Sequence, residues 1–193
     1  SHYYFSTFIL VKAMIKRSIN AKLVFYISII FFIWTIPLYS QPNSLPEFTA
    51  SSSDAWINSA PLRKSDLKGK IVLIEVWTSI WINCIRSFPW VHGIANKYKG
   101  VGLEVIGVHS PEFSYEKKRA QVEKVAKKYH KTIPIMMDND YAYWKALGNR
   151  YWPSFYLFNQ NGQLVLRLFG ETHPGSQNAI QFEKAIQKLI PNY

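Results

Sequence analysis

The sequence predicts an α/β sandwich, a central mixed sheet with helices on both faces. Three observations lead there. Short β-branched and apolar runs alternate with segments whose apolar residues recur at helical spacing, the alternation that builds a parallel sheet. Two later runs flank Asn159-Gln-Asn-Gly162, a hairpin turn that adds an antiparallel edge. With 48% hydrophobic and 16% aromatic residues, 193 residues can bury a real core, enough for one domain plus an extension.

Ile71–Trp77, bounded by Gly69, reads as a buried strand. Ile82, Ile85, Val91, Ile94 and Tyr98 follow at helical spacing, and Pro89 is expected to kink that helix. Gly102 opens a second strand, Leu103–His109. Ser110-Pro111-Glu112 has the form of a helix start, with Ser as cap, Pro at the first position and an acid in the first turn. Val122, Val125, Ala126 and Tyr129 give that helix a core stripe, and its lysines, including Lys117, Lys124 and Lys128, a solvated face. Residues 133–137 form a third strand and 141–147 a short helix. Ser154–Phe158 and 163–169 are the hairpin strands. Ala179, Phe182, Ala185, Ile186 and Leu189 mark a terminal amphipathic helix. Right-handed crossovers make the first strands parallel.

Residues 1–40 read as an address. Met14 is followed by Lys16, Arg17 and Lys22, then by a uniformly apolar run over 23–36 that breaks at Pro37. Such a run suits a signal-peptide core of about 7–15 residues and falls short of the roughly 20 that span a bilayer. Leu38-Tyr39-Ser40 before Gln41 makes a cleavage site with a small last residue. Residues 14–40 are therefore expected to be a signal peptide, or an uncleaved membrane anchor through 23–38. Either places the remainder of the chain outside the cytoplasm, in a periplasmic or other extracytoplasmic space. Residues 1–13 read as an extension upstream of Met14. Residues 41–55, rich in Pro, Ser and Asn, read as a linker, and 56–193 as the folded domain.

Of the 23 Lys and Arg, four lie before residue 41, leaving 19 against 12 acids and a net charge of +7 beyond the address. That attracts anionic surfaces without being a nucleic-acid signature, and no nucleic-acid partner is expected. A single Cys excludes an intramolecular disulfide and a Cys-rich zinc site. His92, His130 and His173 lack ligand spacing, so no metal is expected. No Gly-rich phosphate loop or Ser/His/Asp arrangement is visible, and no cofactor is expected.

Trp77-Thr-Ser-Ile-Trp81-Ile-Asn-Cys84-Ile-Arg-Ser-Phe-Pro89 resembles the active-site segment of exported thioredoxin-like proteins. Gly107-Val-His109-Ser-Pro-Glu-Phe113, Asp138-Asn-Asp140, Asn149-Arg-Tyr-Trp-Pro153 and Phe169-Gly-Glu171 resemble, in order and spacing, the TlpA-like redoxin branch. That branch includes the periplasmic carboxyl domain of DipZ-type membrane proteins. The resemblance implies a thioredoxin-like three-layer sandwich and thiol–disulfide exchange. In such proteins two cysteines three apart begin a helix. The first is an attacking thiolate favoured by the helix dipole, and the second resolves the mixed disulfide.

Here Cys84 holds the resolving position and Trp81 replaces the nucleophile. An indole cannot carry a mixed disulfide. Three explanations stay open: a natural loss, a sequence error of one base, or a UGA codon, which elsewhere encodes selenocysteine, read as Trp. The resemblance also implies that Glu75 is a buried acid beneath the cysteine pair. Apolar neighbours on both sides agree, and burial would raise its pKa. It further implies that Pro153 is a cis-proline facing the helix and lining a groove for extended peptide. Trp77 and Trp152 would share that face or the core. Cys84 is expected to be a shielded thiol, and His109, with no acid evident for it, a structural residue.

Two function classes remain open. One is a thiol–disulfide oxidoreductase acting on peptide or protein disulfides, which requires Cys or selenocysteine at position 81 in the translated protein. The other is a redox-inactive module binding extended peptides or a protein partner beside Pro153.

Overall fold

The computed structural model describes residues 42–190, and the expected address over 14–40 and extension over 1–13 lie outside the described residues. Strands β1 (Trp56–Ile57), β2 (Ile71–Trp77), β3 (Leu103–His109), β4 (Ile135–Met137), β5 (Ser154–Phe158) and β6 (Leu164–Phe169) form one sheet. Their order is β1-β4-β3-β2-β5-β6. β2, β3 and β4 are parallel, while β1, β5 and β6 pair antiparallel to their neighbours. The helices are α1 (Ile82–Tyr98), α2 (Arg119–Lys128), α3 (Ala142–Ala146) and α4 (Gln177–Leu189).

The pleat assigns each strand residue a face. On β2, Ile71, Leu73 and Trp77 join α1, α2 and α4 in one cluster with Phe88, Trp90, Val122 and Phe182. Val72, Ile74 and Val76 face the other way, onto Tyr143 and Leu147 at α3 together with Leu45 and Phe48. The sheet is covered on both faces, and β2, at its centre, is buried along its whole length. Full burial of each Ile, Leu or Val there contributes about 1.5–3 kcal/mol. Gly107 on β3 packs closely under Trp77: a Cβ there would lie 3.1 Å from Trp77 Nε1, which would have to shift to admit it.

Several expectations are corrected. The stretch read as a linker packs onto the domain: Leu45 and Phe48 are buried, and Leu45 N–H donates to Gly162 O at 2.7 Å. Its Pro, Ser and Asn residues obscured two apolar anchors. Ser110 caps no helix. It is buried and donates to Asp138 Oδ2 at 3.0 Å, and α2 begins nine residues later, at Arg119. The Glu112 and Phe113 N–H groups turn instead onto the Glu116 carboxylate, which closes a single 3-10 turn over Ser114–Lys117. β1, two residues long, carries too little periodicity to be read from sequence.

Candidate functional site

β2 ends at Trp77, residues 78–80 turn the chain, and Trp81 is the N-cap residue of α1. Its indole accepts no hydrogen bond, so it offers no side-chain cap. The Cys84 N–H donates to Trp81 O at 3.0 Å, so the two positions face each other across the first turn. Their exposures differ sharply: Trp81 is 39% exposed and Cys84 is 0%. The Trp81 indole N–H donates to the Glu112 carboxylate. Its ring lies 6.0 Å from Trp152, whose own ring lies 4.4 Å from Trp144. The Trp152–Pro153 peptide is cis.

Beneath Cys84 lies a buried ion pair. Glu75 and Lys131 are both buried, and Lys131 donates to Glu75 Oε2. The Lys131 Nζ sits 4.1 Å from the Phe88 ring centroid and 5.2 Å from that of Trp77. Burial raises the Glu75 pKa against the opposing charge of Lys131, and burial lowers that of Lys131 against Glu75. Both groups are thus pushed toward their neutral forms. The Cys84 thiol is pushed up to about 12, first by burial and then by Glu75 and Glu116, with a Thr78 backbone hydrogen bond opposing.

A second buried carboxylate flanks the same thiol. Glu116 Oε1 accepts from Thr78 Oγ1, from Ser79 N–H at 2.9 Å and from Ser79 Oγ at 2.7 Å. Its Oε2 accepts from the Glu112 and Phe113 N–H groups at 3.0 and 3.1 Å. His109 Nε2 stands 3.7 Å from Oε1. Burial pushes Glu116 up, but His109, Thr78, Ser79 and the Phe113 N–H outweigh it, and its pKa lies well below the carboxylate range. His109 does therefore have an acid nearby, and burial still lowers its pKa.

The recognised motifs converge on this end of the sheet. Asp138 accepts from the Tyr143 and Trp144 N–H groups at 2.9 and 2.8 Å, fixing the start of α3. Asn149 Nδ2 donates to Tyr151 O, and Asn149 Oδ1 accepts from the Tyr156 hydroxyl at 2.7 Å, which shapes the approach to Pro153. The Gly170 N–H donates to Pro153 O, and Thr172 N–H to Ser87 Oγ, both at 2.9 Å, joining that segment to α1. Sequence reasoning brought Trp81, Cys84, Glu75 and Pro153 to one end and missed Lys131, Glu116 and Glu112. Glu116 accepts from the Phe113 N–H three residues earlier, but Phe113 has no capping oxygen, so the pair carried no capping signature in the sequence. Lys131 carried no signal either, being one lysine among several. Among the described residues no group of three His, Cys, Asp or Glu is placed to hold a metal ion.

A mixed thioredoxin-type sheet with this segment after its central strand defines the class, and comparison with known proteins gives the family. The Redoxin family model matches residues 41–183. The chain belongs to the Redoxin family, in its thioredoxin-like branch. It is 43% identical over 119 residues to Protein DipZ of Mycobacterium tuberculosis, covering 60% of this chain and 17% of that protein. It is 35% identical over 132 residues to Protein SUPPRESSOR OF QUENCHING 1 of Arabidopsis thaliana, covering 68% of this chain and 12% of that one. Thiol-disulfide oxidoreductase YkuV of Bacillus subtilis is 31% identical over 146 residues, 76% of this chain and 93% of YkuV. The chain thus spans under a fifth of the two longer relatives and nearly all of the third. A secreted Mycobacterium tuberculosis disulfide oxidoreductase superposes with a TM-score of 0.56 at 18% identity, covering 74% of this chain and 96% of that one. That likeness concerns the fold.

Proposed function

We propose that the chain is an exported redoxin that, with Trp at position 81, binds an extended peptide or protein partner along the Trp81–Trp152–Pro153 face instead of exchanging disulfides. The observation that carries this reading is the pairing of a half-exposed indole at position 81 with a fully buried Cys84. Thiol–disulfide exchange needs a thiolate at the surface. Cys84, with its pKa near 12, holds almost none at neutral pH. The exposed rings of Trp81 and Tyr151 supply stacking surface of the kind that binds partners. Export rests on the basic cluster and apolar run before residue 41.

Ancestry favours one further reading. Cys84 keeps its place one turn from the helix start, above Glu75, so a Cys or selenocysteine at position 81 would restore an oxidoreductase. Mass spectrometry of position 81 in protein from its native source separates the two. Trp there supports the binding module; selenocysteine or Cys overturns it.

Two measurements on the Trp81 protein test the rest. Cys84 should label with a thiol reagent orders of magnitude more slowly in native buffer than in denaturant, since reaction awaits opening of α1. Equal rates would return single-thiol chemistry. The wild type should reduce a model disulfide no faster than Cys84→Ala. Trp81→Cys should reduce it, passing two electrons and two protons to the substrate as the introduced thiol and Cys84 close a disulfide. Turnover by the wild type would defeat the proposal.

A further inference from the structure

The end where β2, β3 and β6 finish carries Glu112 and Glu171 beside the candidate site, the latter paired with Arg86 at 3.6 Å. The opposite end, where β2, β3 and β6 begin, carries more lysines than acids, although Glu47 accepts from the Lys64 N–H at 2.9 Å and Asp66 pairs with Arg63 at 3.4 Å. Lys64, Lys68 and Lys70 line one open cleft of about 330 Å³, floored by Leu45, Leu67 and Val72 and closed by the turn over 159–162. The Gly69 N–H donates to Gln160 O at 3.2 Å, and Gln160 Nε2 to Leu189 O at 2.6 Å, which brings the end of α4 and Lys188 to this pole. The Ile71 N–H donates to Gly102 O at 2.9 Å, which brings in Lys99 and Val101, the latter 42% exposed. Among the described residues, Lys70 alone of the cleft lysines pairs with an acid side chain, Glu104, at 3.1 Å, and that pair is partly exposed.

The polypeptide also enters the domain here. Leu45 N–H donates to Gly162 O at 2.7 Å, Leu164 N–H donates to Asn43 O at 3.1 Å, and Ser44 bridges Gln163. The uniformly apolar run over 23–36 lies a few residues upstream in sequence. We infer that this lysine pole is a docking surface for an anionic phospholipid bilayer, which turns the Trp81–Pro153 end away from the membrane toward its partners. The chemistry is that of peripheral membrane proteins: lysines reach phosphate headgroups, and an exposed apolar residue among them, Val101, meets the headgroup–acyl boundary. The proposal holds whether the upstream run is cleaved or retained. It does not depend on the identity of residue 81, so its failure and that of the binding-module reading are separate outcomes.

Residues 41–193 form a compact unit containing both core clusters, so this unit is the one to test. Cosedimentation is measured with phosphatidylcholine vesicles, with and without phosphatidylglycerol, across ionic strength. Binding should require phosphatidylglycerol and fall as salt rises. The triple variant Lys64→Glu, Lys68→Glu, Lys99→Glu should lose roughly a hundredfold in affinity. The equal-charge control Lys124→Glu, Lys127→Glu, Lys128→Glu on α2 should lose far less, and circular dichroism should be unchanged in both. Equal loss in the two variants would mean attraction by net charge alone and overturn the inference. So would absence of binding to phosphatidylglycerol, or competition by inorganic phosphate at low concentration, which would mark a small-anion site.

Discussion

Two carboxylates, Glu75 and Glu116, are completely buried and both act on the Cys84 thiol, yet their environments drive them in opposite directions. Glu75 projects from the middle of the central strand among apolar side chains and meets one donor, Lys131, while its Oε1 has no hydrogen-bond partner among the described residues. Glu116 sits in a turn and collects five donors from residues 78, 79, 112 and 113. Burial alone would raise both. At Glu116, His109 and the Thr78, Ser79 and Phe113 donors outweigh it, whereas at Glu75 Lys131 alone does not. The groups converging on each carboxylate thus go with the direction of its shift. The same difference separates two roles: Glu116 fixes the backbone on which position 81 stands, whereas Glu75 and Lys131 set the electrostatic floor under the thiol.

The largest effect should come from Glu116→Ala. It strands the Ser79, Glu112 and Phe113 N–H groups and frees the segments over 78–81 and 110–113. Urea unfolding should show a loss of about 3–5 kcal/mol. A loss under about 1 kcal/mol would say that water replaces the carboxylate and that the clamp is not structural. The pH dependence follows from the lowered pKa. Glu116 contributes stability that is fully present above its unfolded value of roughly 4.3 and is lost as pH falls through its lower folded value. The advantage of wild type over Glu116→Gln should therefore be flat near neutrality and shrink on acidification below about pH 4.3. An advantage that grows on acidification would reverse the assignment.

A smaller effect is expected at the ion pair. Lys131→Met keeps the packing on Phe88 and Trp77 and leaves Glu75 without its cation. The cost should be about 1–3 kcal/mol, because Glu75 can escape by taking up a proton. Here the sign is opposite to that at Glu116. With a raised folded pKa, Lys131→Met should lose stability relative to Glu75→Gln/Lys131→Met as pH rises above roughly 4.3. Removing both charges should restore much of the loss, since buried pairs are often replaceable by apolar groups. Additive losses in this double-mutant cycle would show that the two residues do not act as a pair.

The fold was readable where apolar residues run on without a break, as in the buried strands β2, β3 and β5, or recur at helical spacing, as in α1 and α4. The sequence made position 81, Cys84 and Glu75 readable because they stand at fixed offsets along β2 and α1. What it hid is contact across long separations. Lys131 meets Glu75 from 56 residues away, and Thr78 meets Glu116 from 38. No local pattern encodes such pairings. The false helix start at Ser110 has the same origin, since Asp138 and Glu116 claim groups that a local reading assigned to a cap. Leu45 and Phe48 were hidden by their company, two apolar residues in a polar stretch, although both are buried.

The smallest expected effect on stability lies at Trp81, and it sharpens the contrast with its buried neighbours. The ring is 39% exposed, packs loosely on Trp152 at 6.0 Å and donates one exposed hydrogen bond to Glu112. Neither Trp nor Ala caps a helix, so Trp81→Ala neither removes nor adds a cap. Loss of partial burial and of one solvent-exposed hydrogen bond should cost at most about 1 kcal/mol, far less than removing a core tryptophan. Thermal and urea unfolding of Trp81→Ala should therefore nearly overlay the wild type. The Cys84 labelling rate should also change little, because Cys84 belongs to the buried core cluster with Leu73, Trp77 and Phe88, a cluster that does not include Trp81. A loss above about 2 kcal/mol, or rapid labelling of Cys84, would show that Trp81 is a lid on the thiol. The stacking face proposed for partners would then be a structural plug.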